Sequence, residues 1–253
     1  MKSEIRNKLK NKLPSVGSWM QIPDQSVAEI MGSSGYDWIA VDMEHGAISK
    51  NNLPGLFNAI SCGGAAPFAR VARAESIYIK EALDSGAQGL IFPMIETREQ
   101  LENAISDAHY PPLGNRGIGF CRANMFGKNF KTYFETENNP IIVAQIEHKR
   151  AVENIDSILT VKGLDAIMIG PYDLSGSMNM TGEFDNPEFV QVLKTIFDKA
   201  LHYKIAMGLH IVEPDKQQLK NKIDEGYQFI AYGIDALFLY NSSENPEMEN
   251  QGK

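Results

Sequence analysis

Trp38-Ile39-Ala40-Val41-Asp42-Met43-Glu44-His45-Gly46 places two carboxylates and an imidazole directly after an apolar run. An unbroken apolar run reads as a strand buried on both faces, as in a parallel sheet. In such folds the residues just past a strand's carboxyl end sit at the mouth, where ligands bind. His45 is therefore a candidate acid/base and Asp42 and Glu44 its candidate supports. On these nine residues alone, a loop that merely hydrogen-bonds to itself fits equally well.

Working outward, the same punctuation recurs. Short β-rich runs are expected at residues 16–20, 38–42, 67–71, 89–94, 141–147, 166–170, 206–210 and 229–233. Between them lie segments with apolar residues at three-and-four spacing, at 26–33, 77–84, 98–108, 151–160, 187–202 and 214–225. That spacing is helical. Gly35, Gly86, Gly163 and Gly226 each follow a helical stretch and precede a strand, as left-handed C-caps do. Eight strands alternating with helices describe an α/β fold of the (β/α)8 (TIM) barrel type. The chain has 253 residues, an ordinary length for one barrel of about 250. No linker divides it, so one domain over 1–253 is expected, with a polar tail from about residue 241. The connection from Tyr110 to Pro140 is far longer than the usual 2–6 residues or so. It is expected to cross the bottom of the barrel and to carry an extra surface helix near residues 125–137.

Composition narrows the partners. A net charge of −8 without a long Lys/Arg block argues against nucleic acid and anionic membranes. Cys62 and Cys121, the two cysteines, have no C-x-x-C spacing, so neither a disulfide framework nor a zinc knuckle is suggested. No secretory signal and no run approaching roughly 18 apolar residues is present, which makes a cytoplasmic protein the expectation.

The residues gathered at the strand ends are Trp19, Asp42, Glu44, His45, Arg70, Pro93, Gln145, Glu147, Gly170, Asp173 and His210. A buried charge left unpaired is costly, so Arg70 and Glu147 must be paired, solvated or bound. Glu147 and Asp173 close consecutive strands about 4.8 Å apart and could share one hard divalent cation. The competing arrangement has Asp173 capping a short turn and Glu147 pairing with Lys149 or Arg150. Arg70 offers a fork suited to a carboxylate or enolate oxygen, or else an ion pair with Asp42 or Glu44. Asp84 could orient His45 or simply lie exposed at a helix end. His210 could contact the distal half of a substrate or merely fill a loop. His109, His148 and His202 read as surface residues. None of the eight runs contains a lysine, which disfavours a Schiff-base mechanism.

Together, Asp42-Met43-Glu44-His45-Gly46, Leu83-Asp84-Ser85-Gly86-Ala87, Tyr110-Pro111-Pro112-Leu113-Gly114-Asn115-Arg116-Gly117, Gln145-Ile146-Glu147 and Gly170-Pro171-Tyr172-Asp173-Leu174-Ser175 resemble the HpcH/HpaI family of metal-dependent pyruvate aldolases. The resemblance implies a barrel whose terminal helices are exchanged between subunits, in hexamers built as trimers of dimers. It implies Glu147 and Asp173 as ligands of Mg²⁺, Mn²⁺ or Co²⁺, Arg70 as the group that holds the pyruvate enolate, and His45 paired with Asp84 as the acid/base. Gln145, Gly170, Pro171 and Ser175 would line the pyruvate pocket. The implied reaction is reversible cleavage of a 4-hydroxy-2-oxo acid to pyruvate and an aldehyde through a metal-stabilised enolate. Oxaloacetate decarboxylation on the same groups is the enzymic alternative, and a noncatalytic barrel binding a metal and an oxo acid is the other. The chain departs from the family at Ser177-Met178-Asn179 and at His210, which leaves the aldehyde open.

Overall fold

The structure is a computed structural model and describes residues 1–243, the side chains of 136 and 137 apart. Eight parallel strands close in sequence order into a barrel: β1 Ser15–Met20, β2 Trp38–Asp42, β3 Ala66–Arg70, β4 Gly89–Phe92, β5 Ile141–Ile146, β6 Ala166–Ile169, β7 Ala206–Ile211 and β8 Phe229–Ile234. The (β/α)8 expectation holds, and each strand falls within a few residues of its expected span. The helices are α1 Lys2–Lys10, α2 Gln25–Ser33, α3 Leu53–Gly63, α4 Ser76–Ser85, α5 Arg98–Ala108, α6 Phe130–Thr132, α7 Lys149–Glu153, α8 Ile155–Leu159, α9 Pro171–Ser177, α10 Pro187–Tyr203, α11 Lys216–Asp224 and α12 Asp235–Ser242. All four expected C-cap glycines have positive φ, from 85° at Gly35 to 109° at Gly86. The tail begins later than expected, since α12 includes Asn241 and Ser242, and residues from 244 onward lie outside the described residues. No helix among the described residues is long and apolar enough to cross a membrane.

Because side chains alternate along a strand, each strand feeds two cores. Ile39, Val41, Leu90, Phe92, Ile142, Ile146, Ile167 and Ile169 pack outward against the helices. Trp38, Ala40, Ala66, Phe68, Ile91, Val143, Met168, Phe229 and Ala231 fill the barrel. Trp38 stacks on Phe229 with ring centroids 4.3 Å apart. A Cβ on Gly17 would lie 2.1 Å from the Trp38 ring, so the aromatic layer fits only because that position is glycine. Below it, Ile5 and Leu9 of α1 plug the end of the barrel. Arg6 bonds Asp165 at 2.8 Å and Lys8 bonds Asp37 at 2.5 Å; both acids immediately precede strands, which fixes α1 at the amino-terminal end.

Two expectations about helices change. The 151–160 segment is two short helices broken at Asn154, whose side chain instead donates to the Glu96 carbonyl at 3.0 Å. The surface helix near 125–137 is a 3₁₀ turn at Arg122–Gly127, the short α6 and a π turn at Tyr133–Glu137. Asn124 causes the break. Its side chain bonds the amides of Cys121 and Gly127 and the Gly119 carbonyl, competing with the helical ladder. The connection does cross the bottom of the barrel, where the Arg122 guanidinium reaches the Ser85 carbonyl at 2.9 Å.

Candidate active site

Continuing the inward phase of each strand by two residues yields the mouth. Trp38 and Ala40 lead to Asp42, Ala66 and Phe68 to Arg70, Val143 to Gln145 and Glu147, and Ala206 and Gly208 to His210. Asp42 and Arg70 are register partners on adjacent strands. Arg70 donates from Nε to Asp42 Oδ1 at 2.8 Å and from Nη2 to Oδ2 at 2.6 Å. Its guanidinium carbon stands 4.4 Å from the centroid of the Trp19 ring. Gln21 donates a further bond to Asp42 at 3.0 Å. Burial pushes the Asp42 carboxyl upward, but the Arg70 hydrogen bonds and charge, with help from Gln21 and the His45 amide, outweigh it and hold the group below its ordinary 3.8. The sequence left Arg70 between ligand binding and an ion pair with Asp42 or Glu44; both pairs exist, Asp42 taking Nε and Nη2 and leaving Nη1 toward Glu44.

Nη1 lies 3.4 Å from Glu44 Oε2. Glu44 Oε2 is also 3.8 Å from His45 Nε2, and the His45 side chain is 62% exposed at the rim. The opposite carboxylate, Glu147, follows β5 and is 4% exposed. It accepts from the Met94 amide at 3.0 Å and from Gln145 Nε2 at 2.7 Å. Met94 reaches it from a left-handed backbone, φ 52°. Burial raises Glu147 to about 7; the Met94 bond and Arg70 oppose this, while Glu44 and Asp173 add to it. Glu147 pairs with neither Lys149 nor Arg150, and Arg150 turns to Glu96 at 3.5 Å.

The β6 end is shaped by close approach. A Cβ on Gly170 would lie 2.3 Å from Glu147 Oε1, so glycine leaves that oxygen its space. Pro171 then starts α9, with Gly170 as its N-cap and the exposed Asp173 inside its first turn, not capping it. Three buried polar atoms around the mouth have no hydrogen-bond partner: Gln145 Oε1, Glu44 Oε2 and Trp19 Nε1. Such atoms are costly unless a ligand completes them.

Two expected site residues are elsewhere. Asp84 closes α4 just before β4, at the amino-terminal end of the barrel, whereas His45 follows β2 at the other end. Asp84 instead accepts from Arg116 Nη2 at 2.7 Å, a guanidinium with no exposed side-chain surface that also bonds Tyr133 and Asn138. The His45–Asp84 pairing is thus absent within the chain, and Glu44 is the carboxylate beside His45. Ser175 is fully buried. Its hydroxyl donates to the Tyr172 carbonyl at 3.0 Å and accepts the Gly182 amide at 3.1 Å, leaving no surface for a substrate. Of the histidines read as surface residues, His202 is exposed, but His148 caps α7 and His109 is buried with Nδ1 2.8 Å from the Ile105 carbonyl. Nor does His210 fill a loop: it lies within β7, edge-on to Trp19 with centroids 5.8 Å apart. Sequence reasoning missed Gln21, which extends the inward phase of β1 by two, and the Met94 amide, which no side-chain pattern signals.

Comparison with known proteins places the chain in a family. The family model described as HpcH/HpaI aldolase/citrate lyase matches residues 15–242. A hydroxypyruvate/pyruvate aldolase of Roseobacter denitrificans is 33% identical over 90% of both chains. A 2-dehydro-3,6-dideoxy-6-sulfogluconate aldolase of Pseudomonas putida is 34% identical over 91% of this chain and 90% of its own. A solved structure of a HpcH/HpaI aldolase/citrate lyase family protein from Burkholderia cenocepacia superposes with a TM-score of 0.91 at 27% identity, covering 98% of this chain and 99% of its own. With the barrel, the motif order and these relatives in agreement, the chain belongs to the HpcH/HpaI aldolase/citrate lyase family and is a carbon–carbon lyase.

Proposed function

We propose that the protein is a divalent-metal-dependent aldolase that reversibly cleaves a 4-hydroxy-2-oxo acid to pyruvate and an aldehyde. The observation that carries this reading is Glu147, a buried carboxylate among other carboxylates, with Gly170 hollowed out beside it. An all-oxygen set of Glu147 and Asp173 suits a hard cation such as Mg²⁺, Mn²⁺ or Co²⁺. The unpartnered Gln145 Oε1, and Glu44 Oε2 with ion-pair neighbours but no hydrogen bond, fit water or substrate around it. When bound there, the cation supplies Lewis-acid polarisation of the carboxylate and keto oxygens of the oxo acid.

The chain's own groups do the rest. Arg70, fixed through two nitrogens by Asp42, turns Nη1, which lies 3.4 Å from Glu44, to the oxygen on which enolate charge develops. His45, at the rim beside Glu44, takes the proton of the C4 hydroxyl as the C3–C4 bond breaks and the aldehyde leaves. Gln145 and the Gly170-Pro171 backbone border the pyruvate half. The eight strands carry no lysine for a Schiff base. We propose further that the protein is a homo-oligomer, in line with the hexamer that the resemblance implies; the exposed Leu113, Ile118, Phe120, Met125 and Phe126 of the long connection support it. Pyruvate release by the metal-loaded protein from 4-hydroxy-2-oxo acids and from oxaloacetate tests the activity: cleavage of the former is expected, and turnover of oxaloacetate alone overturns it.

A further inference from the structure

The backbone ladder of β1 runs out at its carboxyl end. Met20 is the last residue in register with β2, opposite Val41, and Trp19 the last in register with β8, opposite Ile234. The amides of Gln21 and Ile22 therefore need partners outside the sheet, and one side chain supplies both. Asp235, the first residue of α12 and 3% exposed, accepts from the Gln21 amide at 2.9 Å and the Ala236 amide at 2.7 Å through Oδ1, and from the Ile22 amide at 2.9 Å through Oδ2. Burial raises its carboxyl; the three amides oppose this and Asp42 adds to it.

Gln21 thus stands between two carboxylates, its backbone amide on Asp235 and its side-chain amide on Asp42. Asp42 Oδ1 accepts from Arg70 Nε at 2.8 Å and from the amides of Glu44 and His45 at 3.1 and 3.2 Å. Its Oδ2 accepts from Arg70 Nη2 at 2.6 Å and from Gln21 Nε2 at 3.0 Å. Among the described residues, every other donor comes from β3 or from the loop that Asp42 itself begins, so Gln21 is the tie to the β1 side. A carboxylate turns easily about its last bond, a terminal torsion with a broad profile, and the planar Arg70 fork turns with it. The second donor on Oδ2 opposes that rotation, and with it the swing of Nη1, the Arg70 nitrogen left toward Glu44.

We propose that Gln21 and Asp235 are positioning residues for Arg70: Asp235 fixes the backbone at the end of β1, and the Gln21 amide holds Asp42 so that Nη1 keeps one aim. This rests on the aldolase reading above. Both residues act through other side chains and not on the substrate. The aim matters most where enolate charge develops, because a preorganised donor favours the transition state over the ground state. Loss of the tie therefore lowers turnover and leaves pyruvate binding nearly as it was.

The test is pyruvate methyl-proton exchange in D2O, followed by NMR over a range of pyruvate concentrations in the metal-loaded wild type, Gln21→Met, Asp235→Asn and the double variant. Methionine keeps the unbranched length of glutamine and removes the donor. Gln21→Met is expected to lower kcat about tenfold, with KM within about twofold of wild type, through loss of one charge-assisted hydrogen bond. Asp235→Asn, which turns an NH2 group toward an amide that needs an acceptor, is expected to lower kcat by a similar factor alone but by less than about twofold in the Gln21→Met background. Unchanged kcat in Gln21→Met, or a rise in KM alone, overturns the proposal. Losses that multiply in full in the double variant overturn the route from Asp235 through Gln21, since independent structural defects add in free energy. If Asp235→Asn does not fold, Gln21→Met decides alone. Exchange by the wild type that Gln21→Met leaves unaltered sinks the positioning role only; no exchange by the wild type with Mg²⁺, Mn²⁺ or Co²⁺ sinks the aldolase reading and this proposal with it.

Discussion

Asp42 is buried and ionised because Arg70 is beside it, which makes the pair an acid-sensitive joint between β2 and β3. The Asp42 value is lowered in the folded protein, so its stabilisation is present above the ordinary 3.8 and is lost as pH falls through the lower folded value. Asp42→Asn should remove this part of the acid limb and cost about 3 kcal/mol at pH 7, as read by urea denaturation across pH. An unaltered acid limb would mean that the pair contributes nothing there. Glu147 has the opposite character. In chelator, Glu147→Gln should stabilise the protein by about 1–3 kcal/mol at pH 8, since an amide removes a buried charge at constant shape, while turnover with metal is lost. These residues were legible in the sequence because period-two alternation carries the inward face to Asp42, Arg70, Gln145 and Glu147. Within the chain, Asp84 lies at the other end of the barrel from His45 and the Ser175 hydroxyl is used by its own turn, because motif order says which residues are near a strand end but not which end, or which hydroxyls the turn itself uses.

At the scale of elements, strand and cap positions were readable and the irregular pieces were not. The left-handed glycines and apolar runs report local backbone and burial, which a sequence states directly. The 122–137 region depends on Asn124 bonding three backbone groups, an outcome of side-chain competition that periodicity cannot register. The β6–α9 junction yields the clearest element-level prediction. Gly170→Ala would drive a Cβ into Glu147, 2.3 Å from Oε1. A loss of about a hundredfold or more in kcat/KM is expected, with the circular dichroism spectrum retained; full activity would show that Glu147 has room to move and that the hollow has no function.

The whole molecule is a barrel plugged below by α1 and open above to charge. Ile5→Ala, which uncaps the interior core, should cost about 2–5 kcal/mol in unfolding free energy, without moving the site at the other end. Light scattering is expected to find a hexamer, and a monomer would contradict that part of the account. The central claim is that the strand-end carboxylates and Arg70 generate a pyruvate enolate. It is tested most directly by NMR of pyruvate methyl-proton exchange in D2O, in wild type, Glu147→Gln and Arg70→Lys, with and without a divalent cation. The account predicts cation-dependent exchange in wild type, lowered at least a hundredfold in both variants; exchange that is indifferent to the cation, or retained in both variants, would contradict it.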